Sequence, residues 1–477
     1  SNSNLITETD PLGNVTRYSY NSLNLVTSIT DPKGNITSYT YDTKGNLLSI
    51  TDSSGAITSL VNDIKGNIIQ ITDPKGGITK PVYDARNNLV ALIDPLNKKT
   101  SFTYDTVGNL LTSTDPNNNI TSYAYNSLNQ RIKITDPKGN ITQLSYDFKG
   151  NLVSAIDAKG NPTSFTHNHR GQTTGITDAL NHPTQLQYGA TGCSSCNSGN
   201  GKLTQLTDAL NNSTSYQYDP LGRLQTETDP LGNTTSYQYD SVGNLTQKTN
   251  PNNTTTSYRY DANNRLIEKT TPEGTTSYQY DQNNNLITAA NPFISYSMTY
   301  DTTNRLTRIT DANNNSISYQ YDSLGNKTAT ITPTGATINY SYDAASHLTT
   351  IATSTGNYSF TYDAGGRRTK LSYPSNTSTS YQYDKNNNLI DIKQTTATNS
   401  IIADTPYSYD PLNNRITKQA ISYSYDPLNQ LISASGTSPE SYSYDALGNR
   451  QGSYQHNAAN QTLSSPQGSY SYDQNGN

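Results

Sequence analysis

Residues 41–62 read YDTKGNLLSITDSSGAITSLVN, and this stretch decides the fold. It holds two turn signals and two strand signals. The first turn, Asp-x-x-Gly-Asn, recurs as Asp105-Thr106-Val107-Gly108-Asn109, and the second, Asp-Pro-x-Gly-Asn, as Asp31-Pro32-Lys33-Gly34-Asn35. An Asp side chain accepts from a backbone N–H two residues on, Pro presets φ, and Gly tolerates the left-handed conformation that follows. Loops of four or five residues with Gly near the end suit β-hairpins. Between the turns lie segments of about six residues. Ile36-Thr37-Ser38-Tyr39-Thr40-Tyr41 alternates with period two and places Thr37, Tyr39 and Tyr41 on one face. Asn46-Leu47-Leu48-Ser49-Ile50-Thr51 alternates less cleanly and offers apolar atoms to both faces. No segment reads as a helix.

The unit repeats. Tyr20, Tyr41, Tyr83, Tyr104, Tyr125, Tyr146 and Tyr188 stand on a 21-residue grid, with Asn62 and His167 filling the remaining slots. The grid resumes at Tyr218, Tyr239 and Tyr260 and continues at 20 or 21 residues to Tyr383. A short fixed period marks an array in which each unit buries surface against its neighbours. We therefore read one continuous repeat domain: regular units over 1–383 with a Cys-containing insertion at 189–201, then irregular units over 384–477. Intervals of 26, 16, 19 and 28 residues to Tyr409, Tyr425, Tyr444 and Tyr472 define the irregular part. There the spiral changes radius or caps, or the array drifts. Both chain ends fall at the same phase of the unit and read as cuts from a longer array.

Two strands per unit advance a sheet by roughly 10 Å, so about 22 units would make a strip roughly 200 Å wide. Open twisted sheets rarely exceed about ten strands without curling. The expected architecture is all-β: a long antiparallel hairpin array coiled into a spiral tube or hollow shell. Composition agrees. Only 31% of residues are hydrophobic, 14% are charged and the net charge is −5, yet there are 38 Tyr. The mean hydropathy is −0.77. A disordered chain would be poor in aromatics; here Tyr, Leu, Ile and Thr supply a thin packed layer.

The near-neutral charge and the absence of a basic run argue against nucleic acid, since the Lys residues are scattered among turns. No apolar run approaches the roughly 20 residues of a membrane span.

The pattern YDxxGNLxxxTDPxGNxTxYxYD, clearest at Tyr218 to Tyr239 (YDPLGRLQTETDPLGNTTSYQY) and at Tyr20 to Tyr41, resembles the RHS/YD-repeat proteins over nearly the whole chain. The resemblance implies a β-sheet spiral, often a closed cocoon, as in bacterial polymorphic toxins, toxin-complex subunits, cell-wall-associated proteins and teneurins. Toxin shells of this kind end in a DPxGR-type core with an autoproteolytic Asp pair. Asp219-Pro220-Leu221-Gly222-Arg223 fits the short motif but sits mid-array, and nothing after Tyr444 matches it.

Candidate sites are few. Cys193 and Cys196 are the two cysteines and lie in the insertion. A local disulfide or free thiols is the favoured reading; a metal half-site with His169 is the alternative, short of the four ligands zinc takes. Asp115-Pro116-Asn117-Asn118-Asn119 echoes calcium loops but lacks their bidentate Glu, so Asx-turn chemistry is preferred. Tyr41, Asp42, Tyr104, Asp105, Tyr218, Asp219, Tyr239 and Asp240 are read as structural, with Tyr closing a strand and Asp opening the loop. Glycan binding by such pairs is the alternative. No catalytic arrangement stands out, and no cofactor is expected. The functional expectation is a non-catalytic extracellular or cell-surface scaffold serving enclosure or adhesion. The alternatives are a toxin shell whose effector lies outside the chain, a carbohydrate-binding adhesin, or a filament-forming surface protein. The partners expected are further copies, further parts of the same polypeptide, or glycans.

Overall fold

The computed structural model describes residues 4–189, 201–436 and 438–477. Cys193 and Cys196 lie outside the described residues. Among those residues there is no α-helix. A single sheet of 42 strands runs from Thr7–Thr9 to Glu440–Ser441, each strand pairing antiparallel with the next. The sheet is open rather than a closed barrel. After Ser441 only the bridge Tyr444–Arg450 and a three-stranded sheet (Gln455–His456, Thr462–Ser465, Gly468–Ser469) follow.

The turns led by Asp share one wiring. At Asp42 the carboxylate Oδ1 accepts from the amides of Lys44 and Asn46, and Oδ2 accepts from the Asn46 side chain at 2.8 Å. Asp31 does the same with Lys33 and Asn35. The fourth residue is left-handed: Gly45 has φ 91° and Gly34 φ 87°, while Asn118 (φ 64°) and Asn314 (φ 64°) serve elsewhere. Asn reaches this region at low cost. The Asn-rich loops are thus Asx turns, with Asp115 Oδ1 accepting from Asn117 and Asn119.

The two turns of a unit differ in one respect. Hairpins closed by the Thr-Asp turn are in plain register, as in Thr30 opposite Ile36. Hairpins closed by the Tyr-Asp turn shift register, with Thr40 opposite Ser49 but Tyr41 opposite Leu47. Leu48 is the extra residue, which explains the imperfect alternation of its strand. A bulge bends and twists its strand. Repeated on one edge in every unit, it curls the strip.

The strand Ile36–Tyr41 buries Thr37, Tyr39 and Tyr41 more than Ile36 and Thr40. Tyr39 stands opposite Ile50, Tyr123 opposite Ile134 and Tyr340 opposite Ile351, forming an aromatic–aliphatic row along the sheet. Burial is shallow. Only Pro81, Ala91, Ala329, Thr379 and Asp410 are buried among the described residues. The exposed area is 26712 Å², against about 17,500 Å² for a compact globule of this mass. The chain is one sheet thick.

Candidate functional site: the seam between windings

Contacts between turns 246 to 253 residues apart show how the strip closes on itself. The Thr-Asp turns starting at Asp10, Asp31, Asp52, Asp73, Asp115, Asp136 and Asp157 meet, in order, the Tyr-Asp turns starting at Asp261, Asp281, Asp301, Asp322, Asp363, Asp384 and Asp410. A separation near 250 residues is roughly twelve 21-residue units, or about 24 strands at ~4.8 Å each. That gives a winding about 115 Å around and about 37 Å across.

At the Asp31–Asp281 and Asp136–Asp384 meetings the contact is reciprocal, the third residue of each turn reaching the first Asp of the other. At the Asp10, Asp73 and Asp157 meetings it runs one way. Lys33 Nζ lies 3.1 Å from Asp281 Oδ2, while Asn283 Nδ2 donates to Asp31 Oδ2 at 2.5 Å. Lys138 and Asp384 (3.1 Å) and Asn386 and Asp136 (2.5 Å) repeat the clasp. Lys75 reaches Asp322 at 3.1 Å and Lys159 reaches Asp410 at 3.3 Å. Ser53 Oγ donates to the Thr302 carbonyl at 2.6 Å. Gly365 occupies the third position where a Cβ would collide with the Asn117 side-chain amide. Burial alone would raise the carboxyls of Asp281, Asp322, Asp384 and Asp410. Hydrogen bonds from the turn's own Asn and amides and from the seam lysines outweigh it and hold all four below the usual carboxylate range.

Along the Tyr-Asp edge a second set of contacts ties each unit to the next. The Tyr hydroxyl donates to the carbonyl that opens the neighbouring strand: Tyr41 to Val26 (2.8 Å), Tyr104 to Leu89 (3.0 Å) and Tyr218 to Leu203 (2.8 Å). The ladder between these strands stops at Ser28–Ser38, so the Val26 carbonyl lies beyond it and the hydroxyl supplies its partner. The hydroxyl is therefore bonded to backbone rather than left at a wet edge. Asn62, in a Tyr slot, makes the equivalent bond to Leu47 with its amide at 2.8 Å. Where Arg replaces the turn's last Asn, it binds its own Asp and reaches forward. Arg223 Nε lies 2.6 Å from Asp219 Oδ2, its Nη1 donates to the Asp240 carbonyl at 2.7 Å, and its guanidinium lies 4.9 Å from the Tyr239 ring centre. Asn109 reaches Asn129 instead (2.9 Å). Asp105 and Asp240 wire their own turns as Asp42 does.

His169 is exposed in the turn that Asn168 opens. Among the described residues no cluster of three His, Cys, Asp or Glu is placed to hold a metal, and no helix is long and apolar enough to cross a membrane. The seam was not anticipated. The lysines scattered among turns are its donors. The signal was present: Lys33, Lys75 and Lys138 occupy the third position of Thr-Asp turns, Lys159 that of the equivalent Ile-Asp turn, and no later turn on that edge carries Lys there.

A polar antiparallel strip wound into a spiral and clasped edge to edge is the wall of a hollow β-shell. The RHS Repeat family model matches seven overlapping or adjacent segments between residues 198 and 401, and the Teneurin YD-shell model matches residues 2–149. The chain belongs to the RHS/YD-repeat family. Among solved structures it is similar to a chain of the Tc holotoxin pore of Photorhabdus luminescens (TM-score 0.74, 14% identity, 93% of this chain and 33% of that one). It is also similar to TcdB2-TccC3 without the hypervariable C-terminal region (TM-score 0.61, 14% identity, 93% and 34%). The chain thus spans about a third of the length of these structures. No curated protein matches it in sequence.

Proposed function

We propose that this chain is a section of the wall of a secreted or surface-exposed toxin-type shell, non-catalytic in itself, whose work is to enclose another polypeptide. The seam carries the reading. An adhesin presenting a sheet face has no need to close one winding on the next, whereas an enclosing wall does. The likeness to Tc-toxin chains supports the same choice. A bore about 37 Å wide between backbones admits an extended or partly folded chain. The regular ticks of the array are architecture in this reading, and 384–477 is where the wall changes shape.

The test is protection. A flexible reporter peptide fused after Asn477 is challenged with protease, at low salt and at a salt concentration that screens the seam. Enclosure predicts slow cleavage that accelerates when the seam is screened. Cleavage as fast as that of the free reporter under both conditions sinks the reading. Electron microscopy supplies an independent check, because a solid particle without a bore is incompatible with it.

A further inference from the structure

Three notches of one build open along the seam, each between two neighbouring Thr-Asp turns and one turn of the next winding. Their volumes are about 320 Å³ at Asp10 and Asp31, about 310 Å³ at Asp115 and Asp136, and about 430 Å³ at Asp229 and Asn250. The third differs in its floor. Opposite the aromatic of the row stand isoleucines at Ile50, Ile134, Ile351 and Ile392. The position is not always apolar, since Phe102 faces Ser113, Tyr319 faces Thr330 and Tyr407 faces Lys418, but three consecutive units carry charge there: Tyr216 faces Glu227, Tyr237 faces Lys248 and Tyr258 faces Lys269. Glu227, Tyr237 and Lys248 line the largest notch, while the first notch carries Glu8 with no cation in its lining and the floor of the second carries Ser113. Placing charges in the one apolar row of a thin sheet works against packing, and such local violations mark functional positions.

We propose that this third notch is a binding site for a neutral polyhydroxylated ligand, a pyranose sugar of one or two rings. Its volume falls within the range of about 300–1,000 Å³ typical of small-ligand sites. Glu227 accepts hydroxyl protons and Lys248 donates. Gln461, Gln474 and Asn475 supply amides that do both, and Tyr237 offers a ring face. The charges of Glu227 and Lys248 cancel. Asp229 is committed to its own turn, accepting from Leu231, Asn233 and the Asn233 amide. Asp229 keeps its negative charge, so the lining is net negative; that selects against phosphate and favours an uncharged ligand with hydroxyls on every side. The turn that Asp473 opens forms the facing wall, and its Asn475 Oδ1 accepts from the Asn252 amide at 3.2 Å. The site needs both windings but is independent of whether the shell encloses anything.

The test uses the full chain with glucose, galactose and N-acetylglucosamine, observed by saturation-transfer NMR. At least one sugar binds in the millimolar range. Lys248→Ile and Glu227→Ile restore the residue of the row, so they keep or raise the melting temperature while weakening binding by about tenfold or more. Glu227→Gln keeps the shape, removes only the charge, and also weakens binding. Failure of all three sugars to bind overturns the proposal, as does undiminished binding by the variants. If the isoleucine variants unfold and Glu227→Gln binds normally, the charged pair belongs to the architecture and the proposal falls.

Discussion

Lys33 and Asp281 are 248 residues apart in the chain and 3.1 Å apart in space, and the same turn returns the contact through Asn283 and Asp31. The spiral is therefore held by paired chemistry as well as by curvature. The seam carboxylates are nearly buried, with Asp281, Asp322, Asp384 and Asp410 side chains 9–14% exposed.

Reversing one end of a clasp tests it directly. Lys138→Glu sets a carboxylate against Asp384 and opens that part of the seam, while Lys138→Arg keeps it closed. One pair contributes on the order of 1 kcal/mol or less, so the four lysines changed together are needed for a large effect. Small-angle scattering at low salt should show the fourfold variant expanded. Unchanged dimensions would mean that curvature alone holds the windings.

Acid has a definite direction at the same contacts. The four seam carboxyls lie below their ordinary value when folded. Their contribution is full above the unfolded pKa, near 4, and is lost as pH falls through the lower folded values. Scattering dimensions should stay constant from neutrality down to about pH 4 and rise only below it. Expansion already at pH 6 would contradict the assignment.

The Tyr latch is testable at Tyr321, whose hydroxyl donates to the Leu306 carbonyl at 2.8 Å. Tyr321→Phe leaves that carbonyl without its partner at a cost of about 1 kcal/mol. Each unit contacts only its neighbours, so the readout is local: hydrogen exchange accelerates in the strands Leu306–Asp311 and Ser316–Tyr321 and not several units away.

The irregular hairpin of Leu389–Thr395 and Ile401–Tyr409 carries two carboxylates beside one lysine. Lys393 Nζ lies 2.9 Å from Asp404 Oδ2. Asp391 stands beside them with a buried Oδ1 that has no partner. Burial first, then the Asp404 carboxylate, raises the Asp391 carboxyl. A raised acid favours the fold at low pH and costs stability once pH climbs past its folded value. Asp391→Asn should therefore raise the melting temperature at pH 7 and have little effect at pH 3. A drop at pH 7 would refute the sign.

The sheet, its period, the turn chemistry and the coiling are legible in residues 41–62 alone, because each follows from local preferences repeated. The bulge is half legible: Leu47-Leu48 breaks the alternation, but which residue is extra depends on the partner strand. The seam is not legible in any one unit. Lys33 and Lys44 are both third residues of a turn, yet Lys33 ends in the seam and Lys44 lies on the edge that no later winding covers. Their difference lies in which edge the strip folds against, a property of the whole winding. Glu227 reads as an ordinary member of the unit that starts at Tyr218, because its strangeness shows only beside Ile50 and Ile134 across the pairing.

A wall whose clasps join turns one winding apart keeps time as well as shape. Removing a single unit between Lys33 and Asp281 would leave each hairpin intact and yet bring every donor opposite the wrong turn. Asp301, with Thr303 at its third position, would come to stand where Asp281 and Asn283 now sit. Length changes in such a chain are thus tolerated between paired strands, as the nine extra residues between Tyr188 and Tyr218 illustrate, across which Tyr188 still pairs with Leu203, and penalised in whole units. The shell can lengthen at its ends, but its middle behaves like text with a reading frame.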